Sequence, residues 1–97
     1  MEKDSFIEKL KQYIGETVTV EYFKGKRSNQ AFGKLVEVNE KYVVLKNADI
    51  YIADKIIEED VPEVLIRTQH IIAVIKQRPI LIGGEIEEII EEVKNIA

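Results

Sequence analysis

Two apolar segments on either side of a short polar connection constrain the fold of this chain more than any other feature. Residues 32–38 alternate between apolar and polar types, and the apolar segment 42–45 follows after the polar residues 39–41. Alternation with a period of two is typical of a strand with one buried face, and a short polar connection between two such segments predicts a hairpin. Val18 and Val20 alternate with polar neighbours in the same way, so another strand is predicted upstream.

A short helix is predicted before these strands. Residues 5–14 carry an apolar stripe at helical spacing, formed by Phe6, Ile7, Leu10 and Ile14. Ser5 and Glu8 have the spacing of a capping box, which predicts that the helix begins at Ser5. Gly15 follows the stripe, as expected just past a helix end.

The second half of the chain predicts two further strands and an ambiguous region. The segments 64–66 and 71–75 are apolar and are separated by the polar residues 67–70. Breaks are predicted at residues 46–49, which are mostly polar, and at Val61-Pro62, because proline has no N–H to donate. Residues 50–60 fit either a strand or an irregular loop.

The C-terminal segment is predicted to be an added amphipathic helix. Apolar residues recur at helical spacing over about residues 85–96, after a flexible joint at Gly83-Gly84. The last 13 residues carry five glutamates and one lysine and so account for the whole net charge of −4. We therefore divide the chain into a barrel with its helix, residues 1–78, and an extension, residues 79–97.

The composition argues against several classes of protein. There is no cysteine, and no apolar run approaches the roughly 18 residues that a membrane span needs. The charged start of the chain is unlike a signal peptide, so we expect a cytoplasmic protein without a membrane partner. The only histidine, His70, has no partner ligands for a metal, and no nucleophile, base and orienting group occur together. We therefore expect neither a cofactor nor an enzyme.

Two stretches resemble the sequence motifs of a known family. Residues 32–47 resemble the first Sm motif, with a spacing similar to that of the bacterial Hfq branch, and residues 64–74 resemble the second. Gln69-His70 is similar to the Lys-His pair of Hfq. The resemblance to the Sm-like (Sm, Lsm and Hfq) family covers about residues 5–76. It implies a mainly β fold, namely a strongly bent five-stranded small barrel with an N-terminal helix. It also implies a homo-oligomeric ring of six or seven subunits joined through strands four and five.

The same resemblance implies a site for single-stranded RNA around the pore of the ring. The first motif departs from the family pattern at Lys41, and Thr68 stands where the second usually has glycine. The alternatives are an ordinary hairpin turn at residues 39–41 and an ion-paired arginine at Arg67. The residues that would contact RNA are Asn39, Lys41, Arg67, Thr68, Gln69 and His70.

A basic segment offers a second set of contacts. No acidic residue occurs between residues 24 and 34, which hold Lys24, Lys26, Arg27 and Lys34. These side chains could contact RNA phosphates, or they could be the solvated residues of a hairpin turn.

Two functions are therefore compatible with the sequence. The first is an Sm-like ring that binds short single-stranded RNA. The alternative is a structural or assembly module of the same fold that binds a protein partner through its C-terminal helix and binds little RNA.

Overall fold

The chain folds into an N-terminal helix followed by five antiparallel strands, which confirms the predicted mainly β class. The structure is a computed structural model that describes residues 2–53 and 55–76. The elements in chain order are α1 (Glu2–Lys11), β1 (Thr17–Lys24), β2 (Arg27–Val38), β3 (Tyr42–Ile52), β4 (Lys55–Arg67), a 3-10 turn (Thr68–His70) and β5 (Ile71–Ile75).

The strands form one sheet in the order β4-β3-β2-β1-β5. Every neighbouring pair is antiparallel, and the register shifts in three of the four pairs. Such shifts are β-bulges, which bend a strand and increase its twist. Strands β4 and β5 are the two edges of this bent sheet, and within the described residues neither has a strand partner on its outer side.

Gly33 lies at a bulge where β2 and β3 approach each other closely. It faces a two-residue bulge at Asn47 and Ala48. A Cβ atom on Gly33 would lie 2.8 Å from the Ala48 Cβ and 2.9 Å from both the Ala48 Cα and the Lys46 carbonyl oxygen. Non-bonded carbon atoms pack at about 3.5–4.0 Å. Glycine therefore fits at this position without displacing β3.

The core combines alternate strand residues with one side of α1. Ile7 and Leu10 of α1 are buried, as the predicted stripe requires. Phe6 and Ile14 belong to the same predicted stripe but are 41% and 44% exposed, and Ile14 lies beyond Lys11, where α1 ends. The buried apolar strand residues in this core are Val18, Val20, Ala31, Leu35, Val38, Val43, Leu45, Ala48, Ile50 and Ile66.

The predicted start of the helix is wrong. Helix α1 begins at Glu2, so Ser5 lies inside it and cannot cap its N-terminus. Gly15 has φ of +95°, a conformation that glycine adopts readily, but it follows the turn residues 12–14 and not α1 directly, which ends at Lys11. Its N–H donates to the Leu35 carbonyl oxygen at 2.7 Å, which attaches the end of the helical segment to β2.

The predicted breaks in the second half of the chain are also wrong. Strand β3 continues through residues 46–49, where Asn47 has φ of +52° and forms the bulge. Strand β4 continues through Pro62, which is tolerated because β4 is an edge strand. Residues 50–60 therefore belong mostly to two paired strands, with a turn at Ala53.

Lys76, the last described residue, is attached to the beginning of β1. Its Nζ lies 2.6 Å from Glu16 Oε1 and 5.4 Å from the centroid of the Tyr13 ring. The hydrogen bond and charge of Glu16 raise the pKa of Lys76 above its ordinary value. The whole predicted extension, residues 79–97, with its predicted helix, follows this point and lies outside the described residues.

Candidate nucleic-acid interface

The turn between β2 and β3 is organised by the side chain of Asn39. Asn39 Oδ1 accepts hydrogen bonds from the backbone N–H groups of Lys41 at 2.8 Å and Tyr42 at 2.9 Å. Asn39 Nδ2 donates to Glu37 Oε2 at 3.4 Å. The side-chain oxygen is thus used to close the turn, which is the ordinary role of asparagine in turns. Asn39 positions its neighbours, and its own capacity for base contacts is reduced.

The connection between β4 and β5 is bonded directly to this turn. The Thr68 N–H donates to the Lys41 carbonyl oxygen at 2.9 Å, and the Thr68 hydroxyl donates to the Asn39 carbonyl oxygen at 3.0 Å. Tyr42 and Arg67 are register partners on β3 and β4. Two segments that are separated by 29 residues in sequence therefore form one surface, here called the joined turns (residues 39–41 and 67–70).

The joined turns present two cations and two further hydrogen-bonding side chains. Lys41 and Arg67 are exposed, and neither has an ion-pair partner within residues 2–53 and 55–76. Gln69 and His70 are also exposed, with Gln69 Nε2 3.4 Å from His70 Nε2. A lysine, a planar guanidinium and an imidazole on one surface could bind phosphate and the edges or faces of bases.

Three of the four residues in the basic segment lie together at the opposite end of the strands. Lys24 and Arg27 are register partners across a two-residue turn formed by Gly25 and Lys26. Gly25 has φ of +67°, as a glycine in a tight hairpin turn often does. In the described part of the chain none of these three cations forms an ion pair. We call Lys24, Lys26 and Arg27 the basic turn.

Lys34 lies apart from the basic turn. It is on the far half of β2, where its register partners are Thr17 on β1 and Lys46 on β3. Lys46 is itself 3.9 Å from Glu63, an exposed pair that contributes little to stability. The four basic residues therefore do not form one patch.

A buried amide beside the basic turn is the feature that sequence reasoning did not identify. Asn29 is only 3% exposed, and its Oδ1 has no hydrogen-bond partner within the described residues. Asn29 is the register partner of Tyr22 and forms a side-chain hydrogen bond with it. Burial is the main cause that raises the pKa of Tyr22, and the nearby Glu58 adds to it, whereas the bond to Asn29 opposes the shift.

Two grooves connect these features. A cleft beside the basic turn is lined by Lys24, Lys26, Arg27, Asn29 and Ile52. A second groove, with a volume of about 560 Å³, is lined by Arg67, His70, Tyr22 and Lys24, and also by Glu58, Glu63 and apolar residues of β4. Asn29 lines both the cleft and this groove.

The fold matches that of a known structure. An Sm-like protein from Archaeoglobus fulgidus aligns with this chain at a TM-score of 0.59 and 22% sequence identity, over 72% of this chain and 91% of that protein. No protein-family profile and no curated protein sequence matches the chain. The helix, the five antiparallel strands and this structural match together identify an Sm-like fold, which confirms the predicted fold class.

Among residues 2–53 and 55–76, no helix is long and apolar enough to cross a membrane. In the same residues no group of three or more histidine or acidic side chains is arranged to hold a metal ion.

Proposed function

We propose that this protein assembles into a homo-oligomeric ring of six or seven subunits and binds short single-stranded RNA around the pore, in the cytoplasm. The ring would present one copy of the joined turns per subunit to the same RNA strand. Weak contacts repeated in this way add to a higher overall affinity. The residues of this proposed site are Asn39, Lys41, Arg67, Thr68, Gln69 and His70.

The hydrogen bonds of Thr68 are the observation that supports this proposal most strongly. They hold the two motif-derived turns together, so that Lys41 and Arg67 lie on one exposed surface. Within this site we assign Asn39 and Thr68 a positioning role, because their polar groups already bind the turn. Lys41 would contact phosphate, and Arg67 would stack on or hydrogen-bond to a base beside Gln69 and His70.

The edges of the sheet support the ring. Strands β4 and β5 each have an outer side without a strand partner in the described residues, and unpaired edges favour association. Apolar side chains project from both edges: Leu65 on β4 is 62% exposed, and Ile72 and Ile75 on β5 are 43% and 41% exposed. Pairing β4 of one subunit with β5 of the next would satisfy the backbone and cover these side chains.

The basic turn supplies further phosphate contacts in this proposal. Lys24 lines the same groove as Arg67 and His70, and Lys26 and Arg27 line the adjoining cleft, so an RNA strand bound at the joined turns could reach all three cations. Lys34 lies outside this path, and any phosphate that it contacts would belong to another part of the RNA.

The test is the binding of short fluorescent oligouridylate, oligoadenylate and mixed RNA by the purified full chain, followed by anisotropy. Changing Lys41 and Arg67 to glutamine should weaken binding at least roughly tenfold, since a hydrogen bond to a charged group contributes about 1.5–3 kcal/mol. Lys9→Gln is a matched control because Lys9 is also exposed and has no ion pair among the described residues but lies on α1. If the wild-type protein shows no salt-sensitive binding to any of these RNAs, the proposal is wrong.

One observation favours the alternative of an assembly module. The turn-forming bonds of Asn39 and Thr68 leave fewer polar groups for bases than the family resemblance alone implies. In that case a protein partner would bind the C-terminal segment, which lies outside the described residues. Removal of residues 83–97 would then abolish partner binding or assembly, whereas an RNA-binding ring would keep its RNA affinity or bind RNA more tightly.

A further inference from the structure

The basic turn places like charges directly opposite each other. Lys24 and Arg27 are cross-strand partners, with Lys26 between them in the turn. Like charges in this position destabilise a hairpin. In the described part of the chain no acidic side chain forms an ion pair with any of the three. An anion bound in the adjacent cleft would relieve this repulsion.

One residue that lines the cleft also has a buried hydrogen-bond acceptor without a donor. Asn29 lines the cleft and is only 3% exposed. Its Oδ1 has no hydrogen-bond partner within the described residues. Leaving a buried polar group unpaired costs about 1–3 kcal/mol. A ligand for this cleft should therefore combine an anionic group with a neighbouring hydroxyl or N–H donor.

We propose that the cleft is a ribose-phosphate site that selects RNA over DNA. A backbone phosphate would lie among Lys24, Lys26 and Arg27, and the adjacent ribose 2′-hydroxyl would donate to Asn29 Oδ1. The 2′-hydroxyl is the group by which a protein distinguishes RNA from DNA at a given position. This inference rests on the proposed function, because Lys24 lines the same groove as Arg67 and His70 of the joined turns.

Tyr22 supports Asn29 in this role. The two residues face each other on β1 and β2, and their hydrogen bond fixes the side chain of Asn29. Tyr22 is half-buried, and burial raises the pKa of its hydroxyl. Tyr22 is therefore a positioning residue, whereas Asn29 contacts the ligand.

The experiment compares short oligouridylate, oligodeoxyuridylate and 2′-O-methyl oligouridylate on the full wild-type chain. These probes share bases and phosphates, but only the first carries 2′-hydroxyl donors. Oligouridylate should bind roughly fivefold more tightly than either analogue for each subunit that the strand contacts. This factor is about what one neutral hydrogen bond contributes to affinity. Equal binding of all three probes would overturn the inference and leave RNA binding itself in place.

Two variants assign the discrimination to Asn29. Asn29→Ala should bind RNA and DNA equally while it still binds RNA at the joined turns. Tyr22→Phe removes the hydrogen bond that positions Asn29 but keeps the Asn29 acceptor, so it should reduce the preference for RNA without abolishing it. A preference that persists in Asn29→Ala would refute the assignment, and the wild-type comparison of probes remains decisive if that variant does not fold.

The salt dependence of binding tests the phosphate half of the site. Changing Lys24, Lys26 and Arg27 to glutamine should reduce the slope of log affinity against log salt by about 0.7 for each phosphate released. An unchanged slope would show that no phosphate lies in the cleft. If the wild-type protein binds none of the RNA probes, both the proposed function and this site are refuted.

Discussion

Replacing Gly33 by alanine tests the packing that bends the sheet. The added Cβ would lie 2.8 Å from the Ala48 Cβ and 2.9 Å from two backbone atoms of β3. Because backbone atoms cannot rotate away as a flexible side chain can, β3 must shift. Overpacking of this kind costs about 1–3 kcal/mol, and two backbone contacts place the cost near the upper end. Alanine in a strand regains roughly 0.5–1 kcal/mol relative to glycine, so the net loss should be about 2 kcal/mol.

Thermal and denaturant unfolding measure this loss directly. For a domain of this size, 2 kcal/mol should lower the Tm by about 8–16 °C. Since unfolding of an oligomer depends on protein concentration, wild type and variant must be compared at the same concentration. An equal or higher Tm for Gly33→Ala would refute the account of the close approach between β2 and β3.

A second substitution separates the contacts. Ala48→Gly in the Gly33→Ala background removes the 2.8 Å contact but keeps both 2.9 Å contacts with backbone. The double variant should therefore be more stable than the sum of the two single effects predicts, although less stable than the wild type. If the two changes in the free energy of unfolding simply add, the contact with the Ala48 Cβ does not cause the loss of stability.

Three further substitutions test the joined turns, the sheet edge and the attachment of β5. Thr68→Val should weaken RNA binding about threefold to tenfold, since it removes the hydrogen bond to the Asn39 carbonyl oxygen while keeping the side-chain shape. Leu65→Asp should convert the ring into smaller species in light scattering, because a charge would replace an exposed apolar side chain on the β4 edge. Glu16→Gln should remove the contribution of Lys76 to the pH dependence of the free energy of unfolding. In the wild type, this contribution should appear in unfolding experiments above about pH 10. The pKa of Lys76 is raised above 10.5 in the folded state, so in the wild type this stabilisation is complete below that pH and is lost as the pH rises further.

Each of these predictions has a control within the chain. Thr68→Ser keeps a hydroxyl and should bind RNA nearly as the wild type does; a loss equal to that of Thr68→Val would argue against the hydrogen bond. Ile14→Asp alters an equally apolar side chain, 44% exposed, that lies on neither sheet edge, and it should leave the ring intact. Glu8→Gln changes a carboxylate that pairs with Lys11, not with Lys76, and should leave the contribution of Lys76 in place.

The alternation of apolar residues predicted most strands because each has a buried face. The sequence wrongly predicted breaks at bulges and in an edge strand, because these places accept residues that usually interrupt strands. Asn47 and Asp60 adopt positive φ within paired strands, at +52° and +50°, and Pro62 lies on the edge strand β4. Strand propensities predict that such residues end a strand. In this bent sheet they lie at bulges or in an edge strand, where the strand continues through them.

The candidate site was predictable in part. Both turns follow from the motif-like stretches, but the bond between Thr68 and Asn39 joins residues far apart in sequence and has no local signature. The burial of Asn29 did have a signal. It lies in phase with Ala31 and Leu35 along β2, and all three are buried, so its position in the alternation places it on the interior face.

Light scattering on the full chain during size-exclusion chromatography, with a fluorescent oligouridylate added, tests for an RNA-binding ring. We expect a particle with six or seven times the 11.2 kDa mass of the chain, with the RNA eluting in the same peak. A monomer that elutes apart from the RNA would contradict both the ring and its proposed function.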